Sequence, residues 1–213
     1  MILTDEEAKA TQEVAKATGK AIDAASGAGT MLVNGTVGRI AAATLGLIGG
    51  DWVQEQQQRN LARMQAKTAR LLDGIASDRL STPSPSVVKP LLEAAADEGR
   101  EELQDLWAAL LCNSMLDGGR KVRRDYFEAL RHMEPVDALI LKLVHCQPEE
   151  GGLEGMMQFR NQELLKFGVP QNDALIAITK LDKLGCVTLH PGQFWPRFLA
   201  PFGIGLIDAC TVA

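Results

Sequence analysis

The sequence predicts an all-α protein, a helical bundle, with a carboxy-terminal winged-helix-like α+β unit. Three observations carry that class. Apolar residues make up 46% of the chain but aromatics only 5%. An alanine- and leucine-rich balance of this kind suits helices better than a β-sandwich, which draws on Val, Tyr and Thr. Apolar side chains recur at i, i+3 and i+4 along several stretches, the period of a helix with one buried face. Beyond about residue 150 the order becomes helix, turn, helix, then short β-like runs, as in a winged helix. At 213 residues the chain is long enough to bury a substantial core. Three segments follow from the breaks in pattern: 1–80, 81–150 and 151–213.

Residues 4–25 read as a charged, alanine-rich helix, with Asp5, Glu6 and Glu7 near its amino end, where acids favour the helix dipole. Charge then nearly vanishes. Between residues 24 and 50 Arg39 is the one ionisable side chain, and the uncharged runs on either side of it are 15 and 11 residues long. Each is shorter than the roughly 18–20 residues of a transmembrane helix, so a single conventional span is not indicated. Asp51 is placed to cap a helix over 52–77. Leu61, Met64, Thr68, Leu71 and Ile75 follow the 3-4 alternation of a packing seam.

The run STPSPS at 81–86 breaks the chain, and its two prolines among hydroxyl residues favour an extended, solvated linker. Short helices follow. Val88, Leu91, Leu92 and Ala95 form the apolar face of the first. Leu103, Leu106, Trp107 and Leu110 are the helix-packing motif of the next, continued by Leu111, Ser114 and Met115 and ended by Asp117-Gly118-Gly119. Tyr126, Phe127 and Leu130 mark a third, and Pro135 opens a fourth with Val136, Leu139, Ile140, Leu143 and Val144.

In the last segment, 161–167 reads as a short helix, Gly168 as a turn and 171–184 as a longer helix. The runs 186–190 and 203–210 read as β-like, with Pro191-Gly192 as a turn. Together they make the winged-helix-like unit.

The formal net charge of −5 disfavours nucleic acid as the main partner, because phosphate binding needs concentrated Lys and Arg. The acidic excess lies in the middle segment, with eight basic and thirteen acidic side chains, against nine and nine before it and five and five after. A winged helix with Lys180 and Lys183 offset by Asp173 and Asp182 is better suited to protein contact than to base readout. A DNA-binding regulator is accordingly the weakest functional alternative.

No enzyme pattern appears. His132, His145 and His190 pair with no nucleophile motif, and GxSxG, HExxH and Gly-rich phosphate loops are absent from the sequence. His145 and Cys146 are neighbours on one helix and diverge, which makes them packing residues at a helix end. Cys112, Cys146, Cys186 and Cys210 are widely spaced, which gives no metal-ligand spacing and suggests reduced thiols in the cytoplasm. Glu101, Glu102 and Asp105 complement a helix start. The expectation is a non-enzyme with no cofactor and no metal.

Two features stand out as candidate binding elements. Arg120, Lys121, Arg123 and Arg124 form the densest basic patch. It is suited to phosphates, anionic lipid or an acidic partner, with Asp117, Asp125 and Glu128 near enough to neutralise it. The second is GRIAAATLGLIGG at 38–50, a glycine-zipper-like ladder with small residues at Gly38, Ala42, Gly46 and Gly50. Such spacing lets helices approach closely in a bilayer or an oligomer. Arg39 would then reach a headgroup or a wet lumen, and Trp52 would sit at the interface. Packing within a soluble body is the competing reading.

Several stretches resemble the Abi-alpha family, named for abortive infection and associated with bacterial resistance to phage. They are AKATGKAIDAASGAG (15–29), PLLEAA (90–95), EELQDLWAALL (101–111), VRRDYFEALRHMEPVDALIL (122–141) and APFGIGLIDAC (200–210). ELQDLWAALL with the Phe-Glu-x-Leu and Pro-x-Asp-Ala segments is the most specific part. The resemblance implies a host-defence setting, with no catalytic residues to carry across. The expected function is a non-enzymatic phage-defence protein, with residues 24–50 as an effector element acting at the inner membrane. The alternative is a soluble helical module that binds a phage or host protein. A homo-oligomer, the inner membrane and a phage or host protein are the candidate partners.

Overall fold

The computed structural model of the chain describes residues 33–40, 51–147, 152–189, 194–196 and 198–212. The expected helix over 4–25 and most of the ladder lie outside them. A turn of π-helix, Val33–Val37, places Val33 and Val37 in the core against the first long helix. That helix, α1 (Asp51–Leu71), buries Leu61, Met64 and Thr68 as the seam predicts. It ends six residues early, because Gly74 takes a left-handed φ of 78° that closes the last turn. Leu71 is therefore exposed and Leu72 takes its place in the core.

Helix α1 packs most extensively on α3 (Glu101–Met115) and also on α2 (Pro85–Ala96). Polar side chains fix that packing. Thr68 Oγ1 donates to Met64 O and, across the interface, to Ala108 O at 3.2 Å. Asn60 Nδ2 donates to Ala96 O at 2.8 Å, and Gln104 Nε2 donates to Asn60 O at 3.2 Å and to Glu98 O. Lys67 bridges Glu101 and Asp105.

Of the STPSPS stretch, 81–84 is extended and Pro85-Ser86 already begin α2, so the linker is shorter than expected and is not simply solvated. Ser81 N–H donates to Met115 O at 2.8 Å, Leu80 pairs with Leu116 in an isolated bridge, and Pro83 is buried. Ser84 caps α2 and Pro85 occupies its first turn, where a missing N–H does no harm. The four apolar residues assigned to its face are all buried. After α3 the Asp117-Gly118-Gly119 turn carries three consecutive positive φ values. Only glycine fits at Gly119, where a Cβ would stand 3.0 Å from Ser114 O.

Helix α4 (Arg124–Arg131) buries Tyr126, Phe127 and Leu130, with the Phe127 ring 6.2 Å from that of Trp107. Helix α5 (Pro135–Cys146) packs chiefly on α7 (Gln171–Lys183). There the buried Asp137 accepts the Glu134 N–H at 2.6 Å and pairs with Lys180 at 2.8 Å. Helix α6 spans Gly152–Lys166, starting nine residues before the expected 161. Helix α7 buries Ala174, Ala177, Ile178 and Leu181, leaving Ile176 exposed.

The winged-helix α+β unit is not seen. Among the described residues there is no strand, and the run after α7 makes only the isolated bridge between Val187 and Leu199. The expected β-like run at 203–210 is instead helix α8 (Pro201–Ala209), nucleated by Pro201 in its first turn. Its glycines serve packing. A Cβ on Gly203 would collide with the Cys186 carbonyl, and one on Gly205 with the Tyr126 hydroxyl. Asn113 Nδ2 holds the end of the chain by donating to Ala209 O and Thr211 O at 2.9 and 3.0 Å.

A candidate contact groove between three helices

Helices α3, α5 and α8 leave an open groove of about 600 Å³ between them. The helical period builds it. On α3, positions 102, 105 and 106 share one face, and on α5 so do 138, 139, 142, 145 and 146. Leu106, Ala138, Leu139, Leu206 and Ile207 supply apolar lining. Glu102 and Asp105 come from α3, and Lys142 and His145 from α5. All four of these polar residues are exposed. An open apolar depression with a few polar groups at its rim is the general form of a ligand or partner site.

The groove also contains two thiols, Cys146 on α5 and Cys210 after α8. Cys146 is exposed, so the pairing of His145 and Cys146 as packing residues does not hold; both face the groove and solvent. Burial pushes the Cys210 thiol up from its ordinary pKa. The same cause takes the buried Cys112 and Cys186 to about 12, so they behave as small apolar residues.

The helix-packing motif falls where its period put it. Leu103, Trp107 and Leu110 are buried, and Leu106 is the half-buried member that turns to the groove.

The basic patch is largely committed to internal bonds. Arg123 pairs with Asp125 at 3.4 Å, and Arg120 Nε donates to Asp117 O at 3.1 Å. Arg124 donates twice to Ser86 O. Asp117 is itself held below the usual carboxylate range by its hydrogen bond from Arg79. Lys121 is exposed and makes no ion pair among the described residues.

Of the glycine ladder, Ala42, Gly46 and Gly50 lie outside the described residues. Gly38 is half-buried, and a Cβ there would stand an ordinary 3.6 Å from Val33 O. Arg39 is exposed, and its Nε donates to Gly35 O at 2.8 Å. Trp52, 75% exposed, stands on the first turn of α1. Among the described residues, no helix is long and apolar enough to cross a membrane. Nor do any three of their His, Cys, Asp or Glu side chains gather as a metal site.

The groove was not anticipated from sequence, because its walls come from positions 102–106, 135–146 and 206–211. The available signal was a wide apolar arc on the fourth helix of the middle segment, broader than one neighbour needs.

These features define a class: a mainly helical protein that carries, among its described residues, an open apolar groove between three helices. The family model for abortive infection alpha, Abi_alpha, matches residues 56–197, and the chain belongs to that family. The match takes in α2 to α7 whole, and leaves out the alanine-rich run at 15–29 and the ending at 200–210. No curated protein and no solved structure matches the chain.

Proposed function

We propose that this chain is a non-enzymatic abortive-infection protein that protects against phage by binding a phage or host protein. Family membership gives the setting. The observation that carries the mode of action is the groove between α3, α5 and α8, with its half-buried apolar lining and exposed charged rim. Contact chemistry needs little more than such a surface.

The test is phage plating on cells that express the wild type or Leu139→Trp, which fills the groove. Wild type lowers plating and Leu139→Trp restores it, with thermal unfolding of the purified variant close to wild type. Full protection by a folded Leu139→Trp protein refutes the reading.

A second reading keeps the inner membrane as the target, through residues 24–50. Its support is the exposed Trp52 directly after the ladder, an interfacial aromatic in that setting. Cell fractionation with membrane-potential measurement, comparing wild type and Gly46→Leu, tests it. A wild-type protein that stays out of the membrane fraction and leaves the potential intact during infection sinks it.

A further inference from the structure

We infer that the groove receives an amphipathic α-helix of a partner protein, one whose apolar face has a basic edge on one side and an acidic edge on the other. The inference rests on the contact reading above and specifies the partner's chemistry. The two rims of the groove differ in sign. On α3, Glu102 and Asp105 border it, and Glu101 stands on the same helix turn. Lys67 is the one cation paired to that rim; it bridges Glu101 and Asp105 and leaves Glu102 without an ion pair among the described residues. On α5, Lys142 and His145 border the groove, and Lys142 likewise makes no ion pair among the described residues.

An apolar floor between an acidic rim and a basic rim matches a helix laid lengthwise. Its i, i+3, i+4 and i+7 residues fill the floor while its flanks meet the rims. Residues 138–146 of α5 run about 12 Å at 1.5 Å per residue, room for roughly two turns of an occupant. A nucleic acid or an anionic lipid surface would face the acidic rim at a loss. Turning a helix end for end exchanges its two edges. The rims therefore set the direction in which the helix lies, and they reject a helix with like charge on both edges.

The probes are three fluorescein-labelled designed helical peptides of about 18 residues, with the same Leu/Ala face. One has Lys on one edge and Glu on the other, one has Lys on both and one has Glu on both. Binding to the full chain is read by anisotropy at low salt. The mixed-edge peptide binds roughly tenfold tighter than either of the others. Leu139→Trp abolishes binding with circular dichroism and melting unchanged.

Lys142→Glu weakens the mixed-edge peptide roughly fivefold and favours the Lys-edged one. Adding Glu102→Lys to Lys142→Glu restores the mixed-edge peptide, which then lies in the reverse direction. Equal binding of all three peptides, binding of none, or failure of the double exchange to restore affinity overturns the inference. So does a wild-type dimer in sedimentation that Leu139→Trp dissociates, since the occupant would then be a second copy. If Leu139→Trp abolishes phage protection while no peptide binds, the contact reading stands and the helix inference falls.

Discussion

Arg124 donates from Nε and Nη2 to the Ser86 carbonyl oxygen at 3.0 and 2.5 Å. Four residues along α2 from Ser86 stands Pro90, which has no N–H to give that carbonyl. The guanidinium of α4 thus replaces a helical hydrogen bond that the α2 sequence removes, and it ties the two helices together. A residue that looked like part of a phosphate-binding patch is a repair to a proline-containing helix. Arg124→Ala should destabilise the wild type by about 1 kcal/mol. In a Pro90→Ala background, where the helix supplies its own donor, the same change should cost only about 0.3 kcal/mol. Urea unfolding of the four proteins in a double-mutant cycle measures the difference. Additive effects would show that Arg124 does not serve the Ser86 carbonyl.

The seating of α8 leads to a second prediction. A Cβ at Gly203 would come within 2.8 Å of the Cys186 carbonyl carbon, and Ala200 N–H donates to that carbonyl's oxygen at 3.0 Å. Backbone cannot rotate away, so Gly203→Ala should destabilise by about 2–3 kcal/mol. Gly205 faces a side chain instead, the Tyr126 hydroxyl. Gly205→Ala should therefore be partly rescued by Tyr126→Phe, while Gly203→Ala should not. Melting temperatures of the two single and two double variants decide this.

The contrast between α3 and α8 shows what the sequence could reveal. On α3 the apolar period runs for four turns, and Leu103, Trp107, Leu110 and Leu111 went to the core as the period demands. On α8 the run Gly203-Ile-Gly-Leu-Ile is too short for period to separate strand from helix, and two glycines in five residues weaken the helix reading. Their cause is a neighbour 17 residues upstream in one case and the Tyr126 ring in the other, and neither is local. Pro201, in the first turn, is the local feature that favours the helix. The groove was illegible for the same reason: Leu106, Leu139 and Ile207 meet only through the packing of three helices. Leu71 and Leu72 differ by where one glycine ends α1, a boundary that period alone does not set.

Acid should act on the fold through Glu98. Burial penalises its carboxylate, but hydrogen bonds and charge from Arg100 outweigh that and hold its pKa below the ordinary 4.5. Arg100 in turn reaches Glu134 and Met133 O, so Glu98 anchors the turn between α2 and α3 to the start of α5. A carboxylate depressed in the folded state adds stability that is complete above its unfolded pKa. That stability is lost as pH falls through the folded value. Glu98→Gln should be about 1–3 kcal/mol less stable than wild type at pH 7. The gap should narrow as pH falls below the ordinary value of 4.5. A gap that does not narrow at all on acidification would show that the Glu98 charge contributes nothing. Chemical denaturation across that pH range supplies the curve.

Thiol chemistry offers a further reading of the groove. Cys112 and Cys186 are fully buried with pKa values near 12, so their thiolate fraction at pH 8 is about one in ten thousand by the titration law, and reagent access is closed as well. Cys210 is half-buried and its thiol is also pushed up. Cys146 is exposed and lines the groove. Native protein at pH 8 should therefore show one fast thiol toward an aromatic disulfide reagent, and Cys146→Ser should remove it. Cys112 and Cys186 should react only on unfolding, at the unfolding rate. Saturation with the mixed-edge peptide should slow the Cys146 reaction severalfold, because an occupant helix covers α5 beside it. A Cys146 rate unaffected by a peptide that anisotropy shows to be bound would place that peptide elsewhere on the surface.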